Sequence, residues 1–415
     1  MRSFIASVAV VGLASVVAAA PLAQGPSGFH GHSQGSSAEG YGSDNYVKSE
    51  DIFRFPLADG FPNPNDQQLH QIEEIAHGTL PNGPPPPKID HDTKTSLQLI
   101  AFNENFEVAF FEQLIKNITN NVNGFQFNDK KQRDFVLQNL IVANADEQLH
   151  ELNANGALKH FGFDPIEPCQ YIFPSVVDLK TALATAITFT DVVMGTLGDV
   201  QEKLANAGDN SIIRGIASVI GQEGEQTGFY RSLLQKVAPE LPFLTASERR
   251  FAFSALQGFV VPGSCPNENE IDLSIFAPLT VVTPPQPKDQ LVKYSFDLDQ
   301  INQGLTNNAK TSRDMNMSSS SAGHPGNNNS GMDYSKYDYS KLFLTLVNQQ
   351  NLPISEKIQN VEIDGSTITF AALFPFEENV LNGLTIAAVT VGEGFASVVD
   401  VADHTIAGPG LIEVN

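Results

Sequence analysis

The chain has 415 residues, 47 acidic against 24 basic, and a formal charge of −23. That excess disfavours phosphate backbones and anionic lipid surfaces, which sets aside nucleic-acid binding and electrostatic attachment to membranes. The length allows one large domain with appendages or two domains.

Residues 1–20 read as a secretory signal peptide. Arg2 is followed by an apolar run from Phe4 to Val17 and by small residues Ala18-Ala19-Ala20. No later stretch reaches the roughly 18 uninterrupted apolar residues of a membrane span, so membrane insertion is not expected and the mature chain is expected to be soluble and exported. Residues 21–92 form an extended N-terminal segment. It is rich in Gly, Ser, Asp, Asn and Pro over 21–65, expected to be mostly disordered, with a short helix over Asp66–His77 and a proline run at Pro84–Pro87.

Residues 93–262 carry four stripes at helical spacing. The first reads Leu97, Ile100, Glu104, Glu107, Phe111, Leu114, Ile118. The second reads Val136, Leu140, Ala143, Glu147, His150, Ala154, Ala157, Phe161. The third reads Leu179, Leu183, Ala186, Thr190, Val193, Leu197, Val200, Leu204, and the fourth Ile212, Ile216, Val219, Glu223, Gln226, Tyr230, Leu233, Val237. Helices are expected from Thr95 to Asn120, from Asn128 (as N-cap) to Phe161, from Ser175 to Asn206 and from Asn210 to Val237. A fifth, short helix is expected to begin at the capping box Thr245-Ala246-Ser247-Glu248. Short first and third links with a long, proline-bearing middle link from Gly162 to Pro174 give two antiparallel pairs joined by one crossover. That is the ferritin-like form of a four-helix bundle.

Beyond Pro262 the helical period stops. Residues 263–300 read as an extended connection with strand-like pieces at Leu279–Val282 and Leu291–Phe296, and 301–340 as an Asn/Ser/Gly-rich flexible loop. Residues 341–415 read as a small β-rich element with strands at Thr367–Leu373, Leu384–Val391 and Leu411–Val414. The fold class expected is therefore mainly α: a four-helix bundle with one long crossover and a small C-terminal β-rich element.

Every stripe is interrupted near its middle by polar residues, which is costly in a core unless they are paired or bind a metal. Glu147-Gln148-Leu149-His150 has the i, i+3 spacing that lets a carboxylate and an imidazole reach one ion. Glu104 and Glu107 on the first helix and Glu223 on the fourth complete the candidate metal ligands. Thr190 stands where a bridging carboxylate belongs, Gln226 where a second histidine belongs, and Asp191 lies about 100° off the seam. Two of six dinuclear ligands are thus absent. What remains suits a single Mn, Fe or Zn ion, or a metal-free hydrogen-bonded network with a protonated carboxyl. No catalytic residue is assigned: no Gly-x-Ser-x-Gly elbow, phosphate loop or CxxC pair occurs.

In an oxidising compartment the two cysteines, Cys169 and Cys265, are expected to pair. Sequons at Asn117, Asn316 and Asn328 offer glycosylation sites.

Several runs together resemble a known family. They are His77-Gly78-Thr79-Leu80-Pro81-Asn82-Gly83-Pro84, the segment from Asn103 to Phe111, and Ala145-Asp146-Glu147-Gln148-Leu149-His150-Glu151-Leu152. Leu373-Phe374-Pro375-Phe376-Glu377-Glu378-Asn379-Val380 and Gly408-Pro409-Gly410-Leu411-Ile412 extend the set. The chain resembles the fungal secreted ferritin-like proteins of the late sexual development and stress-response type, over most of its mature length. Plant desiccation-related proteins are similar across the bundle only. The resemblance implies a ferritin-like fold, export and a link to development or stress. The reading adopted is a structural, protective or binding role outside the cell or at the wall, with a degenerate metal site. The alternative is a Mn- or Fe-dependent oxidase or peroxide-handling enzyme. The resemblance supplies no established reaction, and the sequence names no partner beyond association with the cell wall.

Overall fold

The computed structural model describes residues 52–304 and 338–414. The expected signal peptide and the sequons at Asn316 and Asn328 lie outside the described residues.

Helix α1 (Asp66–Ile75) opens on a capping box between Asn65 and Gln68. Residues 52–65, the described end of the segment expected to be mostly disordered, are ordered instead: Phe53 and Phe61 are buried. Phe53 pairs with Tyr171, which pairs in turn with Val260. Aromatic side chains spaced among polar residues supply enough apolar area to order a segment that lacks any regular period.

Four long helices follow: α2 (His91–Thr119), α3 (Lys130–His160), α4 (Leu179–Ala207) and α5 (Asn210–Leu233). Their ends lie within a few residues of the expected ones. The cap of α3 is Asp129 rather than Asn128, because Asp129 accepts from Lys131 N. Helix α2 packs on α3 and on α4, and α4 packs on α5. Almost every residue of α2 from Thr95 to Phe111 is buried, so it has no solvent face, as befits a helix covered on all sides. Helix α4 is long and apolar enough to cross a membrane by length and composition alone. Its apolar window is 89% buried within the protein, so packing already uses that surface. The α4–α5 link is Gly208-Asp209, with Gly208 at φ 82° where a side chain would be strained.

The crossover between α3 and α4 is tied down by the Cys169–Cys265 disulfide. Helix α6 is Arg249–Leu256 and is capped by Glu248. No capping box forms at Thr245, because its hydroxyl donates to Leu384 O at 2.7 Å, a tertiary partner that displaces the local one.

The rest of the described chain builds two antiparallel four-stranded sheets, in the orders β1-β2-β6-β5 and β4-β3-β7-β8. The strands are β1 (Thr280–Val281), β2 (Gln290–Asp297), β3 (Leu342–Asn348), β4 (Ile354–Lys357), β5 (Gln359–Asp364), β6 (Thr367–Phe374), β7 (Gly383–Val391) and β8 (Thr405–Val414). Short helices α7 (Leu298–Gly304), α8 (Phe376–Asn379) and α9 (Val398–His404) join them. The strand-like pieces near 280 and 291 are therefore not a plain connection: β2 pairs along its whole length with β6. Val292, Tyr294 and Phe296 of β2 share one core with Leu342, Leu344 and Leu346 of β3. The opposite face of the second sheet, through Val347, Leu384, Ile386 and Ala388, packs on Val192 of α4 and on Phe251 and Ala252 of α6. That sheet is thus apolar on both faces, one toward the other sheet and one toward the helices.

Candidate metal centre

Three of the four long helices, α2, α3 and α5, bring interrupting residues to one place. Glu104, Glu147, His150 and Glu223 each offer a ligand atom, and these four atoms lie within 4.8 Å of one another. His150 Nδ1 is 2.9 Å from Glu147 Oε2, 3.6 Å from Glu223 Oε1 and 3.8 Å from Glu104 Oε2. The three glutamates are at most 1% exposed, while the His150 side chain keeps 15% of its surface. Helical spacing produces this: Glu147 and His150 are one turn apart on α3, so both project toward the seam that α2 and α5 close.

Glu107 is fully buried one turn beyond Glu104. Asn103 Nδ2 donates to its Oε1 at 2.8 Å, and its Oε2 meets no donor among the described residues. The Thr190 hydroxyl is equally buried and makes no hydrogen bond among them. Gln226 is committed: its Nε2 donates to Glu147 Oε1, and its Oε1 accepts the Tyr230 hydroxyl at 2.7 Å. It therefore positions a candidate ligand instead of acting as one. This chain from Tyr230 to Glu147 escaped the sequence analysis, although the i, i+4 spacing of Gln226 and Tyr230 was a visible signal.

Electrostatics follow from burial. Desolvation, together with the charge of Glu147 and against the pull of His150, raises Glu104 to about 7. Burial first, then the charge of Glu147, holds Glu107 and Glu223 well above the usual carboxylate range. Burial alone would depress His150, but its contacts with Glu104 and Glu147 outweigh that and hold it well above the ordinary histidine value.

A divalent cation fits this donor set. Three buried carboxylates, Glu104, Glu147 and Glu223, with the His150 imidazole are ligands a hard or borderline ion prefers, whereas Glu107, also expected as a ligand, is not among the residues whose ligand atoms meet. Both oxygens of Glu223 and one each of Glu104 and Glu107 are buried with no hydrogen-bond partner among the described residues. Buried carboxylate oxygens without donors demand a proton or a cation. A small cavity of about 20 Å³, lined by Leu99, Asn103, Val193 and Leu197 among others, touches Glu104. It could hold roughly one water.

The expected pairing of Cys169 with Cys265 is present, with the sulfurs 2.03 Å apart. Asn117 lies half-buried in the last turns of α2, where its Oδ1 accepts from Gln113 Nε2 at 2.9 Å.

Residues 94–236, the span of α2 to α5, match the family model of the ferritin-like domain. No curated protein matches the chain.

Proposed function

We propose that the ferritin-like domain holds one divalent cation between Glu104, Glu147, His150 and Glu223, in an exported protein whose role is structural, protective or binding rather than catalytic. In this reading α2 to α5 form a four-helix bundle with a single long crossover, a topology favoured by the two-residue α4–α5 link and the long segment between α3 and α4. The observation that carries the reading is Glu223: both oxygens are buried without a donor among the described residues, yet it faces His150 at 3.6 Å.

A Mn, Fe or Zn ion there would neutralise carboxylates that burial now penalises and would cross-link three helices. The chain's own residues supply the rest. Gln226 and Tyr230 fix Glu147, Asn103 fixes Glu107, and Glu147 in turn orients the His150 ring through Nδ1. The alternative, an oxidase or peroxide-handling enzyme, needs more ligands than Thr190 and the committed Gln226 supply. Export is supported by the leader-like sequence and the disulfide. The association with fungal development or stress rests on the resemblance given above.

Calorimetric titration of Mn, Fe or Zn into chelator-treated protein tests the site. Saturation near one ion per chain, lost in His150→Ala and Glu223→Gln, supports it. No heat with any of the three ions, or equal binding by both variants, would sink it. Oxygen or peroxide turnover by the loaded protein would favour the alternative.

A further inference from the structure

Asp191 follows Thr190 on α4 but lies about 100° around the helix, so its carboxyl leaves the glutamate cluster altogether. It meets Glu240, from the α5–α6 connection, and Glu413, from the last strand β8. One oxygen of each lies within 4.8 Å of the others. Asp191 is only 5% exposed, and its Oδ2 finds no hydrogen-bond donor among the described residues. Among the described residues two cations face the same place. Arg231 of α5 pairs with Glu240 through Nη1, and burial lowers Lys236 of the connection against the opposing charges of all three carboxylates.

The charge balance decides what belongs there. Three carboxylates against two cations leave one negative charge in a buried seam, which low dielectric makes costly. One proton cancels it, whereas a divalent cation would overshoot to a net positive charge. We propose that Asp191 carries that proton and shares it with Glu240 and Glu413. The five residues then form a proton-dependent clasp holding β8, and with it the C-terminal sheet, against α4.

The electrostatic environment agrees. Burial first, then the charges of Glu413 and Glu240, hold Asp191 well above the usual carboxylate range. A carboxyl raised on folding favours the folded state fully below its unfolded value, and that advantage is lost as pH rises through the folded value. The clasp is therefore closed in acid and loosens toward alkaline pH. The seam it guards is substantial. Leu411 of β8 lines an apolar cavity with Val192 and Val193 of α4 and Ala252 of α6, so release of β8 would open that contact.

Hydrogen exchange of the full chain, corrected for intrinsic rates, reads the clasp locally. Between about pH 5 and about pH 9, protection of residues 405–414 is expected to fall by about tenfold or more in the native protein. It should stay level in Asp191→Asn, which keeps the shape and mimics the protonated acid. Glu413→Gln is the second variant, and it too should flatten the response. Native protection constant to within about twofold would overturn the proposal, as would variants that lose protection as the native protein does. If excess calcium or manganese restores protection at alkaline pH and a chelator removes it, the cluster binds a cation and the proton reading falls.

Discussion

Gln226 donates its side-chain amide to Glu147 Oε1 while accepting the Tyr230 hydroxyl, so a residue of α5 fixes a carboxylate of α3. Removing it in Gln226→Leu leaves a fully buried carboxylate oxygen without its donor, a loss of about 1–3 kcal/mol in stability. Tyr230→Phe removes only the outer bond and should cost about 0.5–1.5 kcal/mol. Urea denaturation of the two variants should give that order. Cation affinity should fall by roughly 10–100-fold in Gln226→Leu, as for other residues that orient a ligand.

Gly195 marks the closest approach of α4 to its surroundings. A Cβ built there would stand 2.1 Å from the carbonyl oxygen of Thr245. Backbone cannot yield as a flexible side chain would, so Gly195→Ala should destabilise by about 1–3 kcal/mol despite its higher helix propensity. The thermal midpoint checks this. Gly198→Ala, where nothing lies within 4 Å of the added atom, is the control and should be neutral or slightly stabilising.

The disulfide spans 96 residues of sequence, from the α3–α4 crossover to the segment after α6. In the chain-entropy account a loop of that length is worth about 4–5 kcal/mol. Reduction, or the Cys169→Ala/Cys265→Ala pair, should therefore lower the melting temperature by roughly 10 °C. An unchanged melting temperature would show that the ladder Phe53–Tyr171–Val260 holds the crossover by itself.

Asp199 gives a pH dependence away from the glutamate cluster. Burial, reinforced by Glu248 and opposed by Lys203 and Arg249, raises it to about 6. The folded chain thus binds the proton more tightly than the unfolded one. Its favourable contribution is complete below the ordinary aspartate value of 3.8 and is lost as pH rises through about 6. Asp199→Asn should flatten the decline in stability between about pH 4 and about pH 6, measured by denaturation at each pH.

The four long helices were legible because each carries an apolar stripe at helical spacing, which is what periodicity reports, even though α2 and α4 are buried well beyond the stripe. The acidic cluster was legible for the same reason, since Glu104, Glu147 and Glu223 sit at positions the stripe requires to be apolar. Strand β3 was not. All seven of its residues are buried between the other sheet and the helices, so Leu342–Asn348 shows no alternation to read. The false start at Thr245 has a different cause. Its hydroxyl serves Leu384 O across the fold, a contact no local pattern contains. Asp191 was placed off the seam by helix geometry, but its partners Glu240 and Glu413 come from 49 and 222 residues further along the chain, beyond the reach of any spacing rule.

Anomalous diffraction from crystals grown with Mn or Fe, recorded at the metal's absorption edge, tests the central claim most directly. The expected result is a single peak per chain bounded by Glu104, Glu147, His150 and Glu223. A map without a peak there, or with its peak among other residues, would contradict it.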